Sequence, residues 1–158
     1  MRSVGEFAIR PATAADIPGV REMLREYVDW IGLDLAFQEI DQELAGLPGE
    51  YAPPRGALFV VPGEEGLIAT IGLRPFDDTT AEMKRLFVRP AARGKGLAKQ
   101  LIVRVLDEAR RLGYTEIRLD TLPMMGDAQA LYAAMGFADI KAYYDTPITG
   151  TRFMAKRL

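Results

Sequence analysis

Apolar positions recur every three or four residues at Ile17, Val20, Leu24, Tyr27 and Ile31, which predicts an amphipathic helix. Thr13 and Asp16 precede it in the spacing of a capping box, and Gly32 interrupts it. The same period returns at Leu97, Leu101, Val105, Ala109 and Leu112, with Ala98, Ile102 and Leu106 beside them. Gly113 follows as a C-terminal cap. Between these helices the pattern changes to short apolar runs over residues 57–61, 67–73 and 81–88, separated by turns at 62–66 and 77–80. These read as strands, the first two as a hairpin. Residues 7–10, 116–122, 137–144 and 152–158 read as further strands, with Pro11 breaking the first. Residues 38–47 and 127–135 read as shorter helices, the second closed by Gly136, and the Pro- and Gly-rich residues 47–56 as a rigid loop. The sum is one α/β domain over residues 1–158. It has a mixed, mostly antiparallel sheet of about six to seven strands flanked by about four helices, with a ligand expected at the C-terminal end of a central strand.

Composition narrows the chemistry. A chain of 158 residues, 49% hydrophobic and 27% charged, suits one folded domain. No apolar run is long enough to span a membrane, and the first residues lack a signal-peptide stretch, so a cytoplasmic protein without a membrane partner is expected. The net charge of −2 does not favour nucleic acid. The chain has no histidine, no cysteine and no asparagine, and its one serine is Ser3. A Ser-His-Asp triad or a Cys-His pair cannot be assembled, and zinc loses its usual ligands, so no metal is expected. Catalysis is left to carboxylates, tyrosines, lysines, arginines and backbone dipoles.

One stretch stands out against this background. Arg93-Gly94-Lys95-Gly96-Leu97-Ala98 opens the second long helix directly after a strand. Two glycines there leave backbone N–H groups uncovered, and Arg93, Lys95 and Lys99 add positive charge, as an anion site requires. An ordinary glycine-containing loop has the same composition.

Written as Arg-x-x-Gly-x-Ala, positions Arg93, Gly96 and Ala98 resemble the coenzyme A-binding motif of the GNAT N-acetyltransferases. Glu82-Met83-Lys84-Arg85-Leu86-Phe87-Val88 is similar to that family's fourth strand, and the run from Ala128 through Leu131-Tyr132 to Gly136-Phe137 to its A-x-x-L-Y-x-x-x-G-F signature. The resemblance implies a GNAT fold and a direct transfer of acetyl from acetyl-CoA to a primary amine in a ternary complex. It implies that the pyrophosphate rests on the stretch Arg93, Gly94, Lys95, Gly96, Leu97, Ala98 and Lys99. It implies that the pantetheine arm pairs with the backbone of Leu86, Phe87 and Val88, with Ala128 in the same coenzyme site.

Tyr132 matches the tyrosine that serves that family as general acid, donating a proton to the departing thiolate. Residue by residue it is equally a helix tyrosine packed on the core. Glu82 matches the position where one branch of the family keeps its catalytic base. Strand alternation places Glu82, Lys84, Leu86 and Val88 on one face if no bulge intervenes. The competing reading of Glu82 is a solvated edge glutamate paired with Lys84 or Arg85. Where many members carry an asparagine this chain has Met125.

The acceptor is expected against the first two helices, the adjoining loop and the last strands. Candidate lining residues are Tyr27, Trp30, Phe37, Gln38, Tyr51, Tyr143 and Tyr144. Arg74 and Arg85 are candidates to clamp a carboxylate, which points to an amino acid or a peptide end, and the lack of an acidic cluster argues against polyamines. Pairing at a sheet edge would permit a homodimer. The alternative from another class is a non-catalytic acyl-CoA sensor. A mononucleotide binder would want Gly-Lys-Ser/Thr or the complete G-x-G-x-x-G, which are absent.

Overall fold

The computed structural model describes residues 7–34 and 39–158. The first long helix, α1, runs Ile17–Ile31 and ends on Gly32, whose φ of 68° closes it in the left-handed region. At its start the Thr13 N–H donates to the Asp16 carboxylate at 2.7 Å, and Arg10 clamps the same carboxylate at 2.6 and 2.9 Å. The capping box of the sequence is therefore formed, on a short 3-10 turn over Ala14–Asp16. The second helix, α2, is only Ile40–Ala45.

Seven strands follow one another as β1 Arg10–Pro11, β2 Ala57–Gly63, β3 Gly66–Pro75, β4 Thr80–Val88, β5 Glu116–Thr121, β6 Ala138–Asp139 and β7 Arg152–Arg157. They lie in the order β1-β2-β3-β4-β5-β7-β6, antiparallel everywhere except β4 with β5. The long helix α3, Leu97–Arg111, is the crossover between those two parallel strands, and α4, Gly126–Ala134, follows β5. One core lies under α3 and α4, with Ile71, Met83, Leu101, Val105, Ile117 and Tyr132 among its buried members. The other lies under α1 and α2, with Met23, Leu24, Leu44, Val60 and Phe87. The sheet is thus covered on both faces, as expected.

Two strand expectations change. Residues 7–10 supply only Arg10 to a two-residue edge strand, and Pro11 belongs to that strand, where a missing N–H costs nothing. Residues 137–144 form a strand only at Ala138–Asp139, and residues 140–151 are a loop that carries Tyr143 and Tyr144 back over β4 and β5.

Candidate active site between β4 and β5

The parallel pairing of β4 and β5 is short. Thr80, Ala81 and Glu82 face Glu116, Ile117 and Arg118, and beyond them neither strand has a strand partner on the other's side. Both strands end in this gap, and a cavity of about 540 Å³ fills it. Its walls include Leu86, Phe87 and Val88 of β4, Leu119 and Asp120 of β5, Ala98 of α3, and Ala128 and Tyr132 of α4. Backbone N–H and C=O groups with no strand partner invite an extended ligand to add as a strand would.

The mouth of the cavity meets the N-terminus of α3. Gly94 and Gly96 both have φ of 77°, and a Cβ at either would meet nothing within 4 Å. Glycine is needed there for backbone conformation and not for space. The first helical bond runs from the Gln100 N–H to the Gly96 carbonyl at 3.2 Å, so the N–H groups of Leu97, Ala98 and Lys99 precede it. Lys95 and Lys99 are exposed beside them, whereas the Leu97 side chain is core. Arg93 is anchored: its Nε donates to the Val88 carbonyl at 2.8 Å, and its guanidinium lies 5.5 Å from the Trp30 ring.

A bulge decides what β4 presents. Thr70 pairs with Phe87 and Gly72 with Lys84, so Ile71 alone faces both Arg85 and Leu86. Arg85 takes a φ of 61° to make the extra residue fit. The simple alternation expected for this strand is corrected accordingly. Glu82, Lys84 and Arg85 point to the α2 side, Phe87 joins the α1 core, and Leu86 and Val88 pack against the α3 core with Met83. Gly72, on the neighbouring strand, admits the buried Tyr51 ring; a Cβ there would stand 2.8 Å from it.

Glu82 is neither solvated nor at an edge, nor paired with Lys84 or Arg85, which corrects the competing reading of it. It is 5% exposed, accepts from Arg74 Nε at 2.9 Å and accepts from the Tyr143 hydroxyl at 2.6 Å. Lys84 donates to Asp120 at 2.9 Å, and the Tyr144 hydroxyl donates to the other Asp120 oxygen. Arg85 forks onto Glu43 of α2 at 2.7 and 3.0 Å. Burial alone would raise the Asp120 and Glu43 carboxyls, but Lys84 and Arg85 respectively outweigh it and hold both below their usual range. Burial pushes the Lys84 amine below its ordinary value, with Arg85 adding to the shift.

A second cavity, about 490 Å³, lies on the far side of this network, lined by Arg74, Glu82, Lys84, Arg85, Tyr143 and Tyr144 among others. Lys84 and Arg85 line both cavities. Tyr132 faces the first cavity, 7% exposed, its ring tilted 5.8 Å from Phe137. Burial, with the neighbouring Tyr27 phenol and Asp120 carboxylate, pushes the Tyr132 phenol above its ordinary value and keeps it protonated.

Tyr27 and Trp30, expected at the acceptor, line the first cavity instead. Arg74 and Arg85 do reach the second cavity, but their guanidiniums are already engaged by Glu82 and Glu43. Tyr51 is buried and lines neither cavity, and Phe37 and Gln38 lie outside the described residues. Met125 caps α4 and lines the first cavity, and the Leu122 carbonyl beside it is taken by the Gln129 side-chain amide at 2.9 Å. The residues sequence reading missed are Glu43, Lys84 and Asp120. Charged residues inside apolar strands were the available signal for Lys84 and Asp120; their pairing depends on strand register.

Among the described residues no helix is long and apolar enough to cross a membrane. A model of the acetyltransferase (GNAT) family matches residues 18–137. An uncharacterized N-acetyltransferase of Schizosaccharomyces pombe is 36% identical over 141 residues, covering 88% of this chain and 86% of its own. The crystal structure of a GNAT-family acetyltransferase from Staphylococcus aureus superposes with a TM-score of 0.81 at 20% identity, over 96% of this chain and 99% of its own. A GNAT acetyltransferase of Elizabethkingia anophelis with acetyl-CoA bound superposes at 0.69 and 22% identity, over 96% of this chain and 98% of its own. With a strand pair that parts over a cavity, a glycine-opened helix at its mouth and the family match over most of the chain, this protein belongs to the GNAT acetyltransferase family and is an acyltransferase.

Proposed function

We propose that this enzyme moves an acetyl group directly from acetyl-CoA to a primary amine of a small molecule or peptide within a ternary complex. The observation that carries the reading is the pair of cavities with Lys84 and Arg85 as their common wall. One has the shape and backbone for a coenzyme arm; the other opens beside a carboxylate. Bound acetyl-CoA would supply the activated acetyl group as a thioester.

The residues of this chain do the rest. The N–H groups of Leu97, Ala98 and Lys99, with the Lys95 and Lys99 side chains, take a pyrophosphate at the positive end of α3. The β4 backbone of Leu86, Phe87 and Val88 pairs with the pantetheine arm, and Ala98 and Ala128 leave room beside it. Tyr132, which lines the first cavity, donates a proton to the departing thiolate; its phenol is protonated at neutral pH, and the thiolate must be close and poorly solvated to take that proton from a group whose burial raises its pKa. Glu82 takes the proton of the attacking amine from the second cavity, directly or through water, while Arg74 and Tyr143 fix its orientation. With no cysteine, and a single serine at position 3, direct transfer needs no covalent enzyme intermediate.

A thiol-release assay with acetyl-CoA and a panel of amines, run beside calorimetric binding of the coenzyme, tests this. Release dependent on one amine class supports the transferase. Tight coenzyme binding with no release from any amine would favour the acyl-CoA sensor.

A further inference from the structure

We infer that the acceptor is an amine carrying a second positive charge, such as a diamine, and not an amine bearing a carboxylate. The inference rests on the acetyl-transfer reading above and concerns the second cavity of that same site. Its three basic residues are already neutralised from within. Arg74 is held by Glu82 at 2.9 Å, Lys84 by Asp120 at 2.9 Å and Arg85 by Glu43 at 2.7 Å. An entering carboxylate would have to displace one of these buried partners, leaving a charge unpaired where water is scarce. The cavity therefore offers an anion no vacant base.

It offers a cation several places. Glu39, Glu50 and Asp145 line the cavity and are exposed. Glu39 and Asp145 form no ion pair with a described residue, and Glu50 reaches Arg74 only at 3.6 Å with its side chain 68% exposed. Phe76, Tyr143 and Tyr144 add aromatic faces to the same wall, with Phe76 and Tyr143 centred 5.3 Å apart. Such faces attract alkylammonium groups and pack against methylenes. Arg118 stacks on the Phe76 and Tyr143 rings, 4.4 and 5.0 Å from their centres, and is itself paired with Glu116 at 2.8 Å. A concave, aromatic-walled site with uncompensated carboxylates at its mouth concentrates cations and repels anions. The acidic cluster that the linear sequence lacks is thus assembled from the start of α2, the loop before β2 and the loop after β6.

The test compares three acceptors of matched chain length: diaminobutane, butylamine and aminobutyrate. Calorimetry on the full chain saturated with coenzyme A gives their affinities, and thiol release with acetyl-CoA gives their turnover. The expected order is diaminobutane, then butylamine, then aminobutyrate, with about tenfold between first and last. The gap should narrow as salt is raised. Glu50→Gln and Asp145→Asn should each weaken diaminobutane about twofold to fivefold while leaving butylamine much less affected. Aminobutyrate binding as well as or better than diaminobutane would overturn the inference. Binding in the expected order without thiol release from any amine would keep the cavity's preference for a second positive charge but overturn the transferase reading, and with it the role of that ligand as acceptor, so the two fail separately.

Discussion

Lys84 of β4 and Asp120 of β5 meet at 2.9 Å at the next inward-facing step beyond the last paired residues of their two strands. The pair closes the apex of the gap on the α1 side, with Asp120 lining the first cavity and Lys84 lining both. Both side chains are buried, 7% and 6% exposed, so neither charge tolerates loss of the other. Lys84→Met should lower the unfolding free energy by about 3–5 kcal/mol, read from urea unfolding. Adding Asp120→Leu should recover much of that loss, since both charges are then gone. A single variant as stable as the parent would mean that water reaches the pair.

Tyr132→Phe removes only the hydroxyl from a ring packed on Phe137. Turnover should fall about 10²-fold, with the coenzyme dissociation constant close to that of the parent. Steady-state kinetics and calorimetry together read this. A Phe variant as fast as the parent would make Tyr132 a core residue and nothing more.

Glu82→Gln keeps the shape of a buried side chain that accepts from Arg74 and Tyr143. Its rate should fall most at low pH, where the amine holds its proton most firmly, and approach the parent's as pH rises toward the amine pKa. An unchanged pH–rate profile would remove Glu82 from the proton path.

Acid should destabilise the fold through particular carboxyls. Arg10 and the Thr13 N–H hold Asp16 well below its usual range, and Glu43 and Asp120 are held below theirs by Arg85 and Lys84 against the opposing effect of burial. A depressed folded-state pKa means that the unfolded chain binds more protons in acid. The stability these groups contribute is present above the ordinary carboxyl value of about 4 and is lost as pH falls below it. Urea midpoints across that range read the effect. Midpoints flat down to about pH 3 would mean that these carboxyls titrate as free ones.

Trp30 is the chain's one tryptophan, 53% exposed, at the wall of the first cavity, where the proposal seats the coenzyme, with Arg93 beside it. Coenzyme A binding should change its fluorescence saturably, with the calorimetric dissociation constant. Gly96→Ala should weaken that binding and cost about 1–2 kcal/mol of stability, because its φ of 77° strains a Cβ-bearing residue. No fluorescence change on binding would place the coenzyme away from α1.

Local signals reached far in this protein. Helices α1 and α3 were legible because their apolar period and caps are written in consecutive residues: Gly32 ends one helix and Gly94 and Gly96 open the other. The Gly/basic loop and the α4 tyrosine were legible for the same reason. The failures share a cause as well. The bulge at Arg85 reverses which side chains share a face of β4, and it depends on how Ile71 of the neighbouring strand is matched. Residues 137–144 alternate well enough to pass for a strand, yet the packing of Tyr143 and Tyr144 on Glu82 and Asp120 pulls most of them into a loop. The sequence by itself determined the two long helices, the central strands, the sheet class, the Gly/basic loop and the set of groups available for catalysis, since each follows from neighbours along the chain. Only the tertiary structure decided which charges pair, which of two cavities each candidate lines, and that Glu39, Glu50 and Asp145 gather around the second of them. Those outcomes bring together residues from β3, β4, β5, α2 and the loop after β6, which no local pattern places side by side.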